Sequence, residues 1–129
     1  MAAAEKRIKV LVLMGALPKI PPDWDDDSFS MQRLRARTTR ESFDNEAAVM
    51  APIEPEKFGQ HTGPAKIYFQ WALHDMYVSR KSADEYFNAV GGPKQQKWYF
   101  TSHEFNDAES KTDRESWLMH TLEIKVSSH

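Results

Sequence analysis

The sequence predicts an α/β fold, a partial parallel sheet of about three strands flanked by helices. Three observations carry that expectation. Beyond residue 66, strand-like and helix-like segments alternate, as they do in parallel β/α units. The first strand-like segment, Ile8 to Met14, is a nearly continuous Val/Leu run, which suits a strand buried on both faces. Finally, Asp75 and His103 each follow a predicted strand. In a parallel sheet that brings both side chains to one carboxyl edge, where α/β proteins place their sites.

The elements follow in chain order. Residues 1–7 form a polar leader, and Ile8 to Met14 the first strand. Gly15 to Pro22 holds a glycine and three prolines and reads as loop. Asp27 or Ser28 is placed to cap a weak surface helix over Ser28 to Arg40, and Glu41 to Met50 is a second short helix. Pro52, Pro55, Gly59, Gly63 and Pro64 punctuate Ala51 to Pro64, which reads as loop. Ile67 to Leu73 is the second strand. Ser79 to Val90 is a helix with Ala83, Phe87 and Val90 at helical spacing, stopped by Gly91-Gly92-Pro93. Lys97 to Phe100 is a short aromatic strand. Asp107 to Lys125 is the last helix, with Trp117, Leu118, Leu122 and Ile124 as its apolar set. The chain is one partial domain, and residues 15–65 form a lid-like excursion too long for a simple connection.

Composition narrows the function classes. Seventeen basic and nineteen acidic residues give a net charge of -2, so neither nucleic acid nor an anionic membrane is an expected partner. There is no cysteine, which excludes disulfides and thiolate metal sites and fits a cytoplasmic protein. No apolar run approaches the roughly 20 residues that span a bilayer. Val10 to Leu17, behind Lys6, Arg7 and Lys9, has the position of a short signal peptide, but Lys9 and Pro18 trim it to a buried strand. The mean hydropathy of -0.67 implies a thin core.

Asp75 and His103 are 28 residues apart, room for one loop, one helix and one strand. An acid and then a histidine, each after a strand, is the latter part of a hydrolase triad in the order Ser, Asp/Glu, His. The segments VLVLMGALP, APIEP, AKIYFQWALHDMYVSRKSADEYFNAV, GGPKQQKWYFTSHEF and DAESKTDRESWL together resemble the C-terminal half of an α/β-hydrolase. The dienelactone hydrolase and prolyl-oligopeptidase-like esterase branches are the most similar. The resemblance covers most of the chain. It implies that the three strands are the sixth, seventh and eighth of that fold, and that 15–65 stands where many members insert a lid. It further implies that Asp75, followed by Val78 at a helix start, is the triad acid, and that His103 is the triad base. Ala72 or Leu73 and Ser102 stand where the family often has glycine.

No G-x-S-x-G elbow occurs in these 129 residues, so no nucleophile is assigned. Ser79 and Ser102 do not sit in a strand-to-helix elbow. The function implied is the acid/histidine portion of a serine hydrolase acting on esters or related acyl substrates, inactive alone and needing no cofactor or metal. The competing reading is a non-catalytic binding module that self-associates through the open edge of its sheet.

Each residue also has a plainer role open to it. Asp75 could simply cap the helix near Ser79. His74 beside Asp75 suggests a metal, but adjacent residues on an extended chain point to opposite sides. His61, His120 and His129 read as surface. Asp23, Asp25, Asp26 and Asp27 lack calcium-loop spacing and read as a solvated, capping turn. Arg33, Arg35, Arg37 and Arg40 could bind phosphate but read as a surface helix paired with nearby acids. Trp71, Trp98, Tyr99 and Phe100 read as core, and Trp117 and Leu118 as the buried face of the last helix.

Overall fold

Three parallel strands, in the order β1-β2-β3, form the sheet of the computed structural model, which describes residues 7–124. The strands are β1 (Val10–Met14), β2 (Lys66–His74) and β3 (Lys94–Ser102). The helices are α1 (Phe29–Arg35), α2 (Arg40–Met50), α3 (Pro55–Gly59), α4 (Arg80–Ala89) and α5 (Ala108–Thr121). A 3₁₀ turn spans Ala51–Ile53. The expected α/β class, with a parallel sheet and flanking helices, is the architecture observed.

β2 is the central strand, and its sequence shows why. Ile67 through Ala72 are all buried, because both faces are covered. Ile67, Phe69 and Trp71 face α4 and pack with Ala83, Tyr86 and Val90. On this face Phe69 and Trp71 stack at 5.2 Å, and Tyr86 meets Phe69 edge-on at 5.5 Å. Tyr68, Gln70 and Ala72 turn to the α5 side. That side is polar. The Gln70 amide donates to the Ser110 carbonyl (2.8 Å) and to the Tyr99 hydroxyl (3.1 Å). Arg114 donates to the Gln70 Oε1 at 2.8 Å. The Tyr68 and Tyr99 hydroxyls hydrogen-bond to each other, and burial raises the pKa of the Tyr99 phenol.

Several sequence expectations change here. β1 is not buried on both faces: Val10 to Leu13 are half-buried and Met14 is exposed, because the strand lies at the edge of the sheet. β3 extends to Lys94, because the polar Gln95, Gln96 and Lys97 lie on an exposed edge and still pair with β2. Phe100 is 80% exposed and stands at a register irregularity, so it is not core, while Tyr99 beside it is buried. Trp98 is half-buried. The stretch 51–64 is not all loop. Pro52 and Pro55 sit at the starts of the 3₁₀ turn and α3, where a missing N–H costs nothing. α5 ends at Thr121. Leu122 and Ile124 are exposed and Trp117 and Leu118 only half-buried, because α5 covers a polar network and its buried contact is Ser110. Residues 1–6, Lys125 and His129 lie outside the described residues.

Asp26 is the main surprise of the acidic turn. It is 1% exposed rather than solvated. Its Oδ2 accepts from Ser79 (2.5 Å) and Ser82 (2.6 Å) at the N-terminus of α4, and its Oδ1 accepts from the Ser28 amide at 2.9 Å. Burial opposes its ionisation, but these hydrogen bonds outweigh that and hold its pKa below the ordinary 3.8. Asp26 thereby fastens the excursion to the helix that follows Asp75. Among the described residues no helix is long and apolar enough to cross a membrane.

Candidate active site

All three strands contribute to one cluster at the carboxyl edge of the sheet. Asp75 is the first residue after β2, His103 the first after β3, and Gly15 the first after β1. The His103 Nδ1 lies 2.8 Å from the Asp75 Oδ2. The Asp75 side chain is 2% exposed and that of His103 36%. The acid is therefore enclosed while the imidazole keeps a face to solvent.

Register brings the two residues level. Ala72 pairs with Tyr99, but His74 pairs with Ser102, so β3 carries one extra residue across this step. With a regular ladder Asp75 would face Ser102. The irregularity around Phe100 and Thr101 advances β3 by one position and sets His103 opposite Asp75. Nothing in the local sequence marks that extra residue. Immediately beyond, Phe105 adopts a positive φ of 49° and is buried against Ala72 and Tyr99. Its amide donates to the Ser102 carbonyl at 3.1 Å. This anchor closes the turn that carries His103.

Asp75 makes two kinds of contact. Its Oδ1 accepts from the Tyr77 amide (2.8 Å) and the Val78 amide (3.1 Å). The capping role open to Asp75 is therefore met at the turn rather than at α4, whose cap is Ser79. Its Oδ2 remains for His103. The two backbone donors orient the carboxylate so that one oxygen faces the imidazole. With a carboxylate at Nδ1, the proton of the neutral ring belongs on Nδ1 and the lone pair on Nε2. That is the tautomer a general base needs.

Gly15 and Tyr77 complete the surroundings. Gly15 has φ +52°, and a Cβ there would sit 2.9 Å from the His103 Nδ1 and 3.2 Å from the Asp75 Oδ2. Only a residue without a side chain allows β1 to end so close to the pair. The Tyr77 ring meets the imidazole edge-on at 4.9 Å. The sequence shows Gly15 only as the start of a loop and assigns Tyr77 nothing. A glycine directly after an apolar strand was the available signal for the first, and the second had none.

The other polar candidates are engaged elsewhere. The Ser102 Oγ donates to Glu104 at 2.5 Å, and the Ser79 Oγ donates to Asp26, so neither approaches His103 as a nucleophile. His74 is exposed and packs edge-on against Phe100 at 4.6 Å. Among the described residues no group of three or more His, Asp or Glu is arranged to hold a metal ion. His61 and His120 are exposed. Of the four arginines, Arg35 donates to the carbonyls of Trp24 (2.5 Å) and Asp26 (2.8 Å), and Arg40 pairs with Asp44 at 2.8 Å. Arg33 and Arg37 have no acid partner among the described residues.

No protein-family model matches the chain, and no curated protein matches it.

Proposed function

We propose that this chain is the acid/histidine portion of a serine hydrolase acting on esters or related acyl substrates, with the nucleophile supplied from outside these 129 residues. The observation that carries the reading is the 2.8 Å contact from His103 to an enclosed Asp75 at the ends of adjacent parallel strands. The consecutive order β1-β2-β3 is the adjacency expected of the sixth, seventh and eighth strands of an α/β-hydrolase. In the complete site His103 takes the proton of an attacking hydroxyl through Nε2 and returns it to the leaving group. Asp75 holds the ring and stabilises the imidazolium. The oxyanion donors, like the nucleophile, come from outside.

The test has two arms. The chain alone leaves a short-chain aryl ester at its background rate. Robust turnover that His103→Ala abolishes would show that the nucleophile is internal. The coding sequence upstream of Met1 is then read for an open frame bearing G-x-S-x-G. A polypeptide joining the two hydrolyses the ester, and His103→Ala or Asp75→Asn lowers kcat by on the order of 10³-fold or more. A joined chain holding all three residues and showing no turnover defeats the proposal.

One observation favours a second reading, self-association through β1. Among the described residues this strand pairs with β2 alone, through the Lys9 carbonyl at one end and the Gly15 amide at the other. In a parallel ladder alternate residues face the same neighbour, so the backbone groups of Val10, Val12 and Met14 point to the outer edge. An apolar recess of about 460 Å³ lies beside that edge, lined by Leu11, Leu13, Phe58 and Tyr86 among others. A second copy or another strand would cover both.

A further inference from the structure

Arg33 and Arg37, whose guanidinium groups have no hydrogen-bond or ion-pair partner among the described residues, line one cavity next to His103. It has a volume of about 270 Å³, with walls from Phe29, Leu34, Met76 and Tyr77 and cations from Arg33 and Arg37. Tyr77 is shared, since its ring also meets the imidazole of His103 at 4.9 Å. The Ser30 amide donates to the Met76 carbonyl at 2.9 Å, so α1 and the Asp75 turn are held together as the two sides of the cavity.

Charge sets this cavity apart. The chain carries a net charge of -2, yet no carboxylate lines the cavity, and two guanidinium groups do. Arg35, Arg40, Arg80 and Arg114 all bond to carbonyl or carboxylate or amide oxygens. Arg33 only stacks over the Phe29 ring at 5.8 Å. Arg33 lies in α1 and Arg37 in the turn just beyond its end, and both line the cavity. Guanidinium forks pair with the oxygens of a carboxylate or phosphate. The volume is below the roughly 300 Å³ at which sites for drug-sized ligands begin, so the apolar stem must be small.

We propose that this cavity is a binding subsite for a small oxyanion on an apolar stem, with Arg33 and Arg37 holding the anion and Met76 and Tyr77 the stem. It rests on the hydrolase reading only in treating the bound molecule as part of the substrate. The cavity then selects acyl substrates that carry a negative charge away from the scissile ester, and Tyr77 separates that anchor from His103.

The experiment is a titration of the isotope-labelled chain, followed by NMR at the Met76 methyl group, the Tyr77 ring and the arginine Nε–H groups. The probes are phenylacetate, phenyl phosphate and the neutral isostere phenylacetamide. Saturable shifts at these groups with either anion are expected, with phenylacetamide at least about tenfold weaker. Preference for one anion identifies which head group the forks take. The double variant R33Q/R37Q binds the anions at least about tenfold more weakly, while R80Q on α4 leaves binding unchanged. R33K/R37K keeps the charge and loses the forks, so its affinity falls between the two. Circular dichroism establishes that each variant folds. Equal binding of phenylacetamide, unchanged binding in R33Q/R37Q or an absence of saturable shifts overturns the proposal. Anion selectivity without turnover in the joined chain would fail the hydrolase reading alone. Turnover without anion selectivity would fail this subsite alone.

Discussion

Gly15→Ala tests how closely three strand ends are fitted together. The added methyl would lie 2.9 Å from the His103 Nδ1 and 3.0 Å from its Cε1, inside any normal contact. Two penalties follow. A non-glycine residue at φ +52° costs about 1–2 kcal/mol in backbone strain. Because His103 is 36% exposed, its ring can swing outward, and that breaks the 2.8 Å contact with Asp75. A hydrogen bond to a charged group contributes about 1.5–3 kcal/mol, and the screening of a half-exposed partner puts this one at the lower end. Together they predict a loss of about 2–4 kcal/mol, measured by urea denaturation. The second readout is local. Long-range ¹H–¹⁵N correlation spectra report the ring tautomer, which is Nδ1–H in the parent and shifts toward Nε2–H once the carboxylate is lost. A variant within about 0.5 kcal/mol of the parent that keeps the Nδ1–H tautomer would refute the fitted arrangement.

Two further perturbations address other parts of the molecule. Asp26→Asn weakens the acceptor of Ser28, Ser79 and Ser82, and is expected to cost about 1–3 kcal/mol at pH 7. The folded carboxyl titrates below the unfolded one, so its contribution is complete above the ordinary 3.8 and is lost as pH falls through the folded value. Urea curves of parent and variant should therefore converge as pH falls below the ordinary 3.8 and through the folded value, and a gap that stays constant with pH would count against the assignment. Val12→Pro removes an N–H that faces away from β2, so it spares the ladder and blocks the outer edge. If β1 mediates association, light scattering finds oligomers of the parent and monomers of the variant. A parent that stays monomeric removes the second reading.

Much of the fold was legible because local pattern and tertiary placement agree. The apolar run of β2 belongs to a strand covered on both faces, and Gly91-Gly92-Pro93 ends α4 where the pattern says it must, whereas the Val/Leu run of β1 forms the expected strand at the sheet edge with only partial cover. The reading weakened where burial is polar. Asp26, Gln70 and Ser110 are enclosed because hydrogen bonds reach them from 40 or more residues away, and no local pattern contains those partners. Phe100 and Ile124 show the converse, apolar residues left exposed by an irregular edge and a thin core.

Strand alternation and chain direction were enough to put an acid and a histidine at the ends of two parallel strands. That they touch depends on the packed fold. Contact required one extra residue in β3, a glycine at the end of β1 and two backbone amides turned onto Asp75. Likewise, four arginines read as one group along the chain, and the fold divided them into two that brace the excursion and two that face a cavity. Register and pairing are relations between distant segments, and they come into being only when the chain packs.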